Sequence, residues 1–116
     1  MIKRHKFGNT KVKAFGITFD SKKEYHRFVQ LKVLQQAGKI SSLEVQPAYE
    51  ILEGFKYNGE TLRKRRYTAD FRYKDDKGRL VVEDVKSAIT KKEPAYSLRR
   101  QLFLQRYGAD IVFIET

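Results

Sequence analysis

The sequence predicts an α/β fold in which a mixed sheet is flanked by helices, with the elements in the order αβββαβ. Three observations lead there. Helical periodicity follows Ser21 and again Pro94. Between these stretches lie segments rich in β-branched and aromatic residues that alternate with polar ones, and turn chemistry separates them at Asn58-Gly59 and at Asp75-Asp76-Lys77-Gly78. A chain of 116 residues, 41% of them hydrophobic with eight Phe and seven Tyr, is enough for one core of modest size.

Each element has a local cause. Residues 1–14 read as a basic N-terminal arm, with Lys3, Arg4, Lys6, Lys11 and Lys13 and no acid, and residues 15–116 as a single domain. Residues 15–20 form a short extended piece. Ser21 is a good N-cap, and Ser21-Lys22-Lys23-Glu24 has capping-box spacing. Tyr25, Phe28, Val29 and Leu31 mark the apolar stripe of a first helix that stops near Gly38. A strand is expected over residues 43–55, with Pro47 at an edge or bulge, and residues 56–60 contain the Asn58-Gly59 turn. Residues 66–73 and 79–86 form a hairpin. A second helix starts at Pro94, carries Ala95, Leu98 and Leu102 with Phe103 and Tyr107 on the flank, and ends at Gly108. Residues 110–115 close the chain as an apolar strand. A helix between the hairpin and this strand is the usual right-handed crossover, so part of the sheet should be parallel.

Charge narrows the function. Lys and Arg number 25 against 14 acids, a net +11. A polyanionic partner explains such an excess, because neutralised phosphates release condensed counterions. Arg63, Lys64, Arg65 and Arg66 form one basic run, and Arg99, Arg100 and Arg106 sit late in the chain. Arg99 and Arg100 are expected at phosphates, with a solvated helix face as the alternative. The chain has no cysteine, which excludes disulfides, thiolate zinc sites and a cysteine nucleophile together. Its longest apolar run of note, residues 111–114, is far too short for a bilayer, and no signal peptide opens the chain. The expectation is a soluble, cytoplasmic protein with no membrane partner.

Alternation places the chemistry. Ala69, Phe71 and Tyr73 are expected on one sheet face, Thr68, Asp70 and Arg72 on the other. Val82, Asp84 and Lys86 share a face opposite Val81, Glu83 and Val85. With Tyr73 paired to Arg79, Asp70 faces Val82 and lies diagonal to Asp84, about 7–8 Å away. Two acids converging on a sheet repel unless a cation lies between them. Oxygen ligands without Cys favour Mg²⁺ or Mn²⁺, which can polarise a phosphate and activate water. Lys86 reaches the same place and could position or deprotonate that water, and the Val85 carbonyl could complete the metal's ligands. Asp-x-Lys occurs three times, at Asp20, Asp75 and Asp84, and only the third rides on a strand with an acid on its partner. Spacing alone fits a catalytic site and a cross-strand salt-bridge patch equally well.

Ala69-Asp70 followed by Asp84-Val85-Lys86 resembles the bipartite signature of the PD-(D/E)XK nuclease superfamily. More narrowly, Phe19-Asp20-Ser21-Lys22-Lys23-Glu24-Tyr25, Gln46-Pro47 and Val82-Glu83-Asp84-Val85-Lys86 resemble small phage-encoded nucleases related to Holliday-junction resolvases. The similarity runs from about Phe15 onward, with Ala69 in place of the nominal proline. It implies a restriction-endonuclease-like core. It also implies Mg²⁺- or Mn²⁺-dependent hydrolysis of DNA, with Glu24, Asp70 and Asp84 on the metal and Lys86 at the water. For Glu24 the capping box is a competing explanation. A homodimer acting on branched or four-way DNA in a bacterial host is expected. The rivals are a sequence-specific or repair nicking endonuclease, a non-catalytic nucleic-acid-binding module of the same fold, and a basic RNA-binding protein.

Overall fold

The computed structural model describes residues 10–116, so Lys3, Arg4 and Lys6 of the expected arm lie outside the described residues. The end of that arm is a strand. β1 (Val12–Ala14) pairs antiparallel with β2 (Ile17–Phe19), and the chain then enters α1 (Lys22–Gln36). Ser21 caps α1 as expected, with Glu24 N–H donating to its Oγ at 3.1 Å. The buried stripe of α1 is Glu24, Phe28 and Leu31, whereas Val29 is exposed.

The central sheet has four strands in the order β10 (Val112–Glu115), β9 (Leu80–Asp84), β8 (Phe71–Lys74), β3 (Ser41–Val45). β3, β8 and β9 are antiparallel neighbours, and β10 lies parallel to β9, as the crossover requires. That crossover contains a four-residue helix, α2 (Ala88–Lys91), and then α3 (Pro94–Tyr107), followed by one 3-10 turn. The molecule is therefore α/β with a mixed sheet, and helices cover both faces. Phe28 and Leu31 of α1 pack with Phe71, Tyr73, Val81 and Val85. Tyr96 and Phe103 of α3 pack with Tyr67, Ala69 and Val82 on the other side. Among the described residues no helix is long and apolar enough to cross a membrane.

The expected strand over residues 43–55 is broken at Gln46-Pro47, giving β3 and β4 (Ala48–Leu52), and its partner is broken at Ala69-Asp70, giving β7 (Arg65–Thr68) and β8. The two breaks lie side by side. Gln46 N–H donates to Asp70 O at 2.9 Å and Ala69 N–H to Pro47 O at 3.0 Å. Gln46 sits at φ 56°, left-handed backbone that shifts the alternation in the manner of a bulge. As a result Ala69 faces α3 while Phe71 and Tyr73 face α1, so the three do not share the face expected of them. Beyond β4 and β7 the chain forms a finger, β5 (Phe55–Tyr57) and β6 (Glu60–Leu62), turning at Asn58 (φ 48°) and Gly59 (φ 80°), the two left-handed residues a tight hairpin needs.

The β8–β9 register also differs from expectation. Tyr73 pairs with Val81, not Arg79, because the ladder runs one step further, to Asp75 N–H donating to Arg79 O at 3.0 Å. The Asp75 carboxylate accepts from the N–H groups of Lys77 and Arg79, and Gly78 at φ 78° closes the three-residue loop 76–78. A shift of two residues keeps the side chains of β8 and β9 on their faces; the paired ladder ends at Phe71 and Glu83, and Asp70, whose N–H donates to Glu83 O at 3.1 Å, lies just beyond it.

Candidate active site

The C-terminal end of β9 gathers four of the residues singled out from the sequence. Asp84 ends β9 with its side chain fully buried, and Asp70, at the break between β7 and β8, reaches the end of β9 with its carboxylate on Val85 N–H, one residue past Asp84. Glu24 arrives from the first turn of α1 and is 2% exposed. Lys86, two residues past Asp84, holds its Nζ 3.2 Å from Asp84 Oδ1, and also lies 5.9 Å from the centre of the Tyr96 ring. Three carboxylates and one ammonium group thus share a largely dry pocket. A cleft lined by Ser21, Lys22, Glu24, Val85, Lys86 and Thr90 opens it to solvent.

The electrostatics follow from burial. Desolvation pushes the Asp70 carboxyl up to about 8, with Asp84 and Glu24 adding to the rise and Lys86 opposing it. Burial, reinforced by the charge of Asp20, also raises Glu24, again against Lys86. Burial alone would lower Lys86, but the charges of Asp70, Asp84 and Glu24 outweigh it, so its ammonium form is favoured. At neutral pH, with no cation added, the cluster therefore retains a proton.

The hydrogen bonds show which oxygens are engaged. Asp70 Oδ2 accepts from Val85 N–H at 2.6 Å. Asp84 Oδ2 accepts from Tyr67 Oη and, at 3.3 Å, from Tyr96 Oη. Glu24 Oε1 and Asp84 Oδ1 are buried with no hydrogen-bond partner, and the Lys86 ammonium beside Asp84 Oδ1 makes an ion pair without hydrogen-bond alignment. A buried acceptor without a donor is costly, so Glu24 Oε1 calls for a positive ligand, as Asp84 Oδ1 already has one in Lys86. As the side chains stand, no three carboxylates or imidazoles among the described residues form a ready-made cage for a metal ion. The fit lies in the donor set: hard oxygen atoms, of which Glu24 Oε1 has no partner and Asp84 Oδ1 only the Lys86 ammonium, around a carboxyl that a cation would deprotonate. Thr116 engages the peptide groups on either side of Val85, through Asp84 O and Lys86 N, both at 3.0 Å. The N–H and carbonyl of Val85 therefore face the Asp70 side.

The other candidates separate. Glu83 leaves from the opposite sheet face, where it is fully buried in an ion pair with Arg27 and accepts from Tyr73 Oη at 2.7 Å. Gln46 is exposed and donates to Thr18 O. Arg63, Lys64, Arg65, Arg66 and Arg99 line a groove between the finger and α3. Arg100 turns the other way, to Glu115 Oε1 at 2.9 Å and over the Phe113 ring. The sequence reading missed Tyr67 and Tyr96, whose hydroxyls hold Asp84 in place. A signal was present for one of them. Tyr96, Arg100, Phe103 and Tyr107 recur at helical spacing and form a second stripe on α3, and this stripe faces the sheet, while Leu98 of the expected stripe is 59% exposed.

Among known proteins, the family described as "Protein of unknown function (DUF1064)" matches residues 4–114. No curated protein and no solved structure matches the chain.

Proposed function

The chain belongs to the DUF1064 family, and we propose that it is a metal-dependent endonuclease that hydrolyses DNA phosphodiesters with Glu24, Asp70, Asp84 and Lys86. The observation that carries this reading is the convergence of three buried carboxylates on one lysine, with Glu24 Oε1 left without a partner and Asp84 Oδ1 answered only by the Lys86 ammonium. A salt-bridge patch would sit in solvent with its acids matched to cations, whereas here the acids outnumber the lysine and are dry. The order of α1, the strands β3, β8 and β9, the crossover α3 and β10 supports assigning the sheet to a restriction-endonuclease-like core.

Glu24, Asp70 and Asp84 would hold Mg²⁺ or Mn²⁺, with the Val85 carbonyl beside them. The ion would supply charge stabilisation at the scissile phosphate and an acidified water. The chain's own groups do the rest. Tyr67 and Tyr96 fix Asp84 through Oδ2 and so leave Oδ1 free toward Lys86. Lys86, held as an ammonium group by its acidic neighbours, donates to a phosphate oxygen or orients the attacking water. Burial behind the cleft keeps these charges strong by limiting solvent screening.

A structure-specific resolvase of branched DNA is the substrate reading we favour. One cluster cuts one strand, so paired cuts in a four-way junction call for a two-fold homodimer that matches the junction's symmetry. The test is incubation of the full chain with labelled linear, nicked, flap and four-way DNA in Mg²⁺, Mn²⁺ or EDTA, with light scattering for the oligomeric state. Paired cleavage of the four-way substrate by a dimer is expected. A monomer that nicks linear duplex as readily as junctions would refute the resolvase reading and favour a nicking endonuclease.

A further inference from the structure

A groove of about 1160 Å³ lies between α3 and the finger and is built unlike a site for duplex DNA. Its walls carry six cations: the run at residues 63–66 together with Lys56 and Arg99. No acidic residue lines it, and none of the six cations joins an ion pair among the described residues. Elsewhere arginines are matched, Arg72 to Glu44, Arg79 to Asp75, Arg100 to Glu115 and Arg106 to Glu50. Among the described residues, the four arginines that join no ion pair, Arg63, Arg65, Arg66 and Arg99, all line this one groove.

Its floor is apolar and wet. Leu52, Phe55 and Leu98 are 46%, 56% and 59% exposed, with Leu102 beside them. A duplex presents phosphates and sugars outward and has no use for such a floor. An unpaired strand presents both phosphates and the faces of its bases, and the bases stack on aromatic and apolar side chains while the backbone follows the cations. The groove is also coupled to the acidic cluster by shared elements. β7 supplies Arg65 and Arg66 to the groove and Tyr67 to Asp84, and α3 supplies Leu98 and Arg99 to the groove and Tyr96 to Asp84.

We infer that this groove holds an unpaired nucleic-acid strand next to the acidic cluster, so that the substrate carries a single-stranded segment, or frays one at its branch point, beside the bond to be cut. The inference deepens the proposed nuclease function and rests on it. The test uses the full chain in EDTA and a fluorescein-labelled DNA oligonucleotide, either single-stranded or annealed to its complement, followed by fluorescence anisotropy. Single-stranded DNA is expected to bind roughly tenfold more tightly than duplex, and Phe55→Ala is expected to weaken it roughly tenfold with little effect on duplex. Phe55 is half-exposed, so the variant should fold, and Arg99→Ala serves as a second variant that leaves the apolar floor intact. Duplex binding as tightly as single strand, with Phe55→Ala neutral, would overturn the inference. So would a dimer, seen by light scattering, that Phe55→Ala dissociates, because the groove would then hold a second copy of the chain. Cleavage is read separately in Mg²⁺. Single-strand preference without cleavage of any DNA would refute the nuclease reading and leave the groove assignment standing, whereas cleavage without that preference would remove the groove assignment alone.

Discussion

Replacing Asp70 by Asn should make the metal-free protein more stable at alkaline pH while abolishing cleavage. Burial raises the Asp70 carboxyl from 3.8 to about 8, so the folded state binds a proton that the unfolded chain releases. The sign follows from linkage. A carboxyl raised on folding contributes stability that is fully present below about 3.8 and is lost as pH rises through about 8. At about 1.4 kcal/mol for each pH unit between the two values, the loss across this window is roughly 6 kcal/mol. Glu24 is raised in the same sense and adds to the loss. The Asn amide mimics the protonated carboxyl: it can accept from Val85 N–H as Asp70 Oδ2 does and can donate to a neighbouring carboxylate. Urea denaturation in EDTA at roughly pH 5 and roughly pH 8 provides the assay. Wild type should lose several kcal/mol between these two conditions, and Asp70→Asn should lose markedly less and be the more stable protein at the higher pH. Adding Mg²⁺ should stabilise wild type and not the variant, since only an ion that binds the folded state shifts the equilibrium. A wild type whose stability is flat over this range, or a variant less stable than wild type at both values, would refute the electrostatic reading of the cluster.

Three further outcomes follow from the same geometry. Lys86→Ala should lower the cleavage rate by ~10²–10⁴-fold in a protein with unchanged circular dichroism, and cleavage at the wild-type rate would remove Lys86 from the site. Tyr67→Phe deletes a buried hydrogen bond to Asp84; it should cost ~1.5–3 kcal/mol in denaturation and lower metal affinity by ~10–100-fold in a Mn²⁺ titration. Changing Arg63, Lys64, Arg65 and Arg66 together to Ala should weaken DNA binding and flatten its salt dependence, by about 0.7 in the log–log slope for each lost single-strand phosphate contact or about 0.9 for duplex. An unchanged slope would place the DNA elsewhere.

How much of this was legible depends on the range of the interaction that decides it. That Asp70 and Asp84 approach from the two arms of one hairpin is readable, because period-two alternation and a turn at residues 75–78 are local facts. The register was missed by two residues, since it depends on Asp75 continuing the ladder and folding its carboxylate over the loop. The break that sets Ala69 and Phe71 on different faces depends on Gln46 and Asp70 meeting across 24 positions, which spacing cannot reveal beyond the hint of Pro47. The face of α3 was misjudged because Ala95, Leu98 and Leu102 form an apolar stripe as good as that of Tyr96, Phe103 and Tyr107. Only the sheet shows which stripe is covered. Arg100 was grouped with Arg99 as its neighbour in sequence, but helical geometry sends it to Glu115 instead. Lastly, Ser21 does cap α1, yet the Glu24 carboxylate oxygen Oε1 lies buried and unpartnered in the cluster, so the capping-box spacing and the acidic cluster coexist.

The most direct measurement of the central claim is single-turnover cleavage of labelled branched DNA by wild type and by Asp84→Asn, in Mg²⁺ and in EDTA. Asp84 is the fully buried centre of the cluster, and it meets Tyr67, Tyr96 and Lys86 at once. Wild type should cleave in Mg²⁺ and not in EDTA, and the variant should lose at least ~10²-fold. Cleavage by Asp84→Asn at the wild-type rate, or a wild type that cuts no DNA with either Mg²⁺ or Mn²⁺, would contradict the nuclease reading.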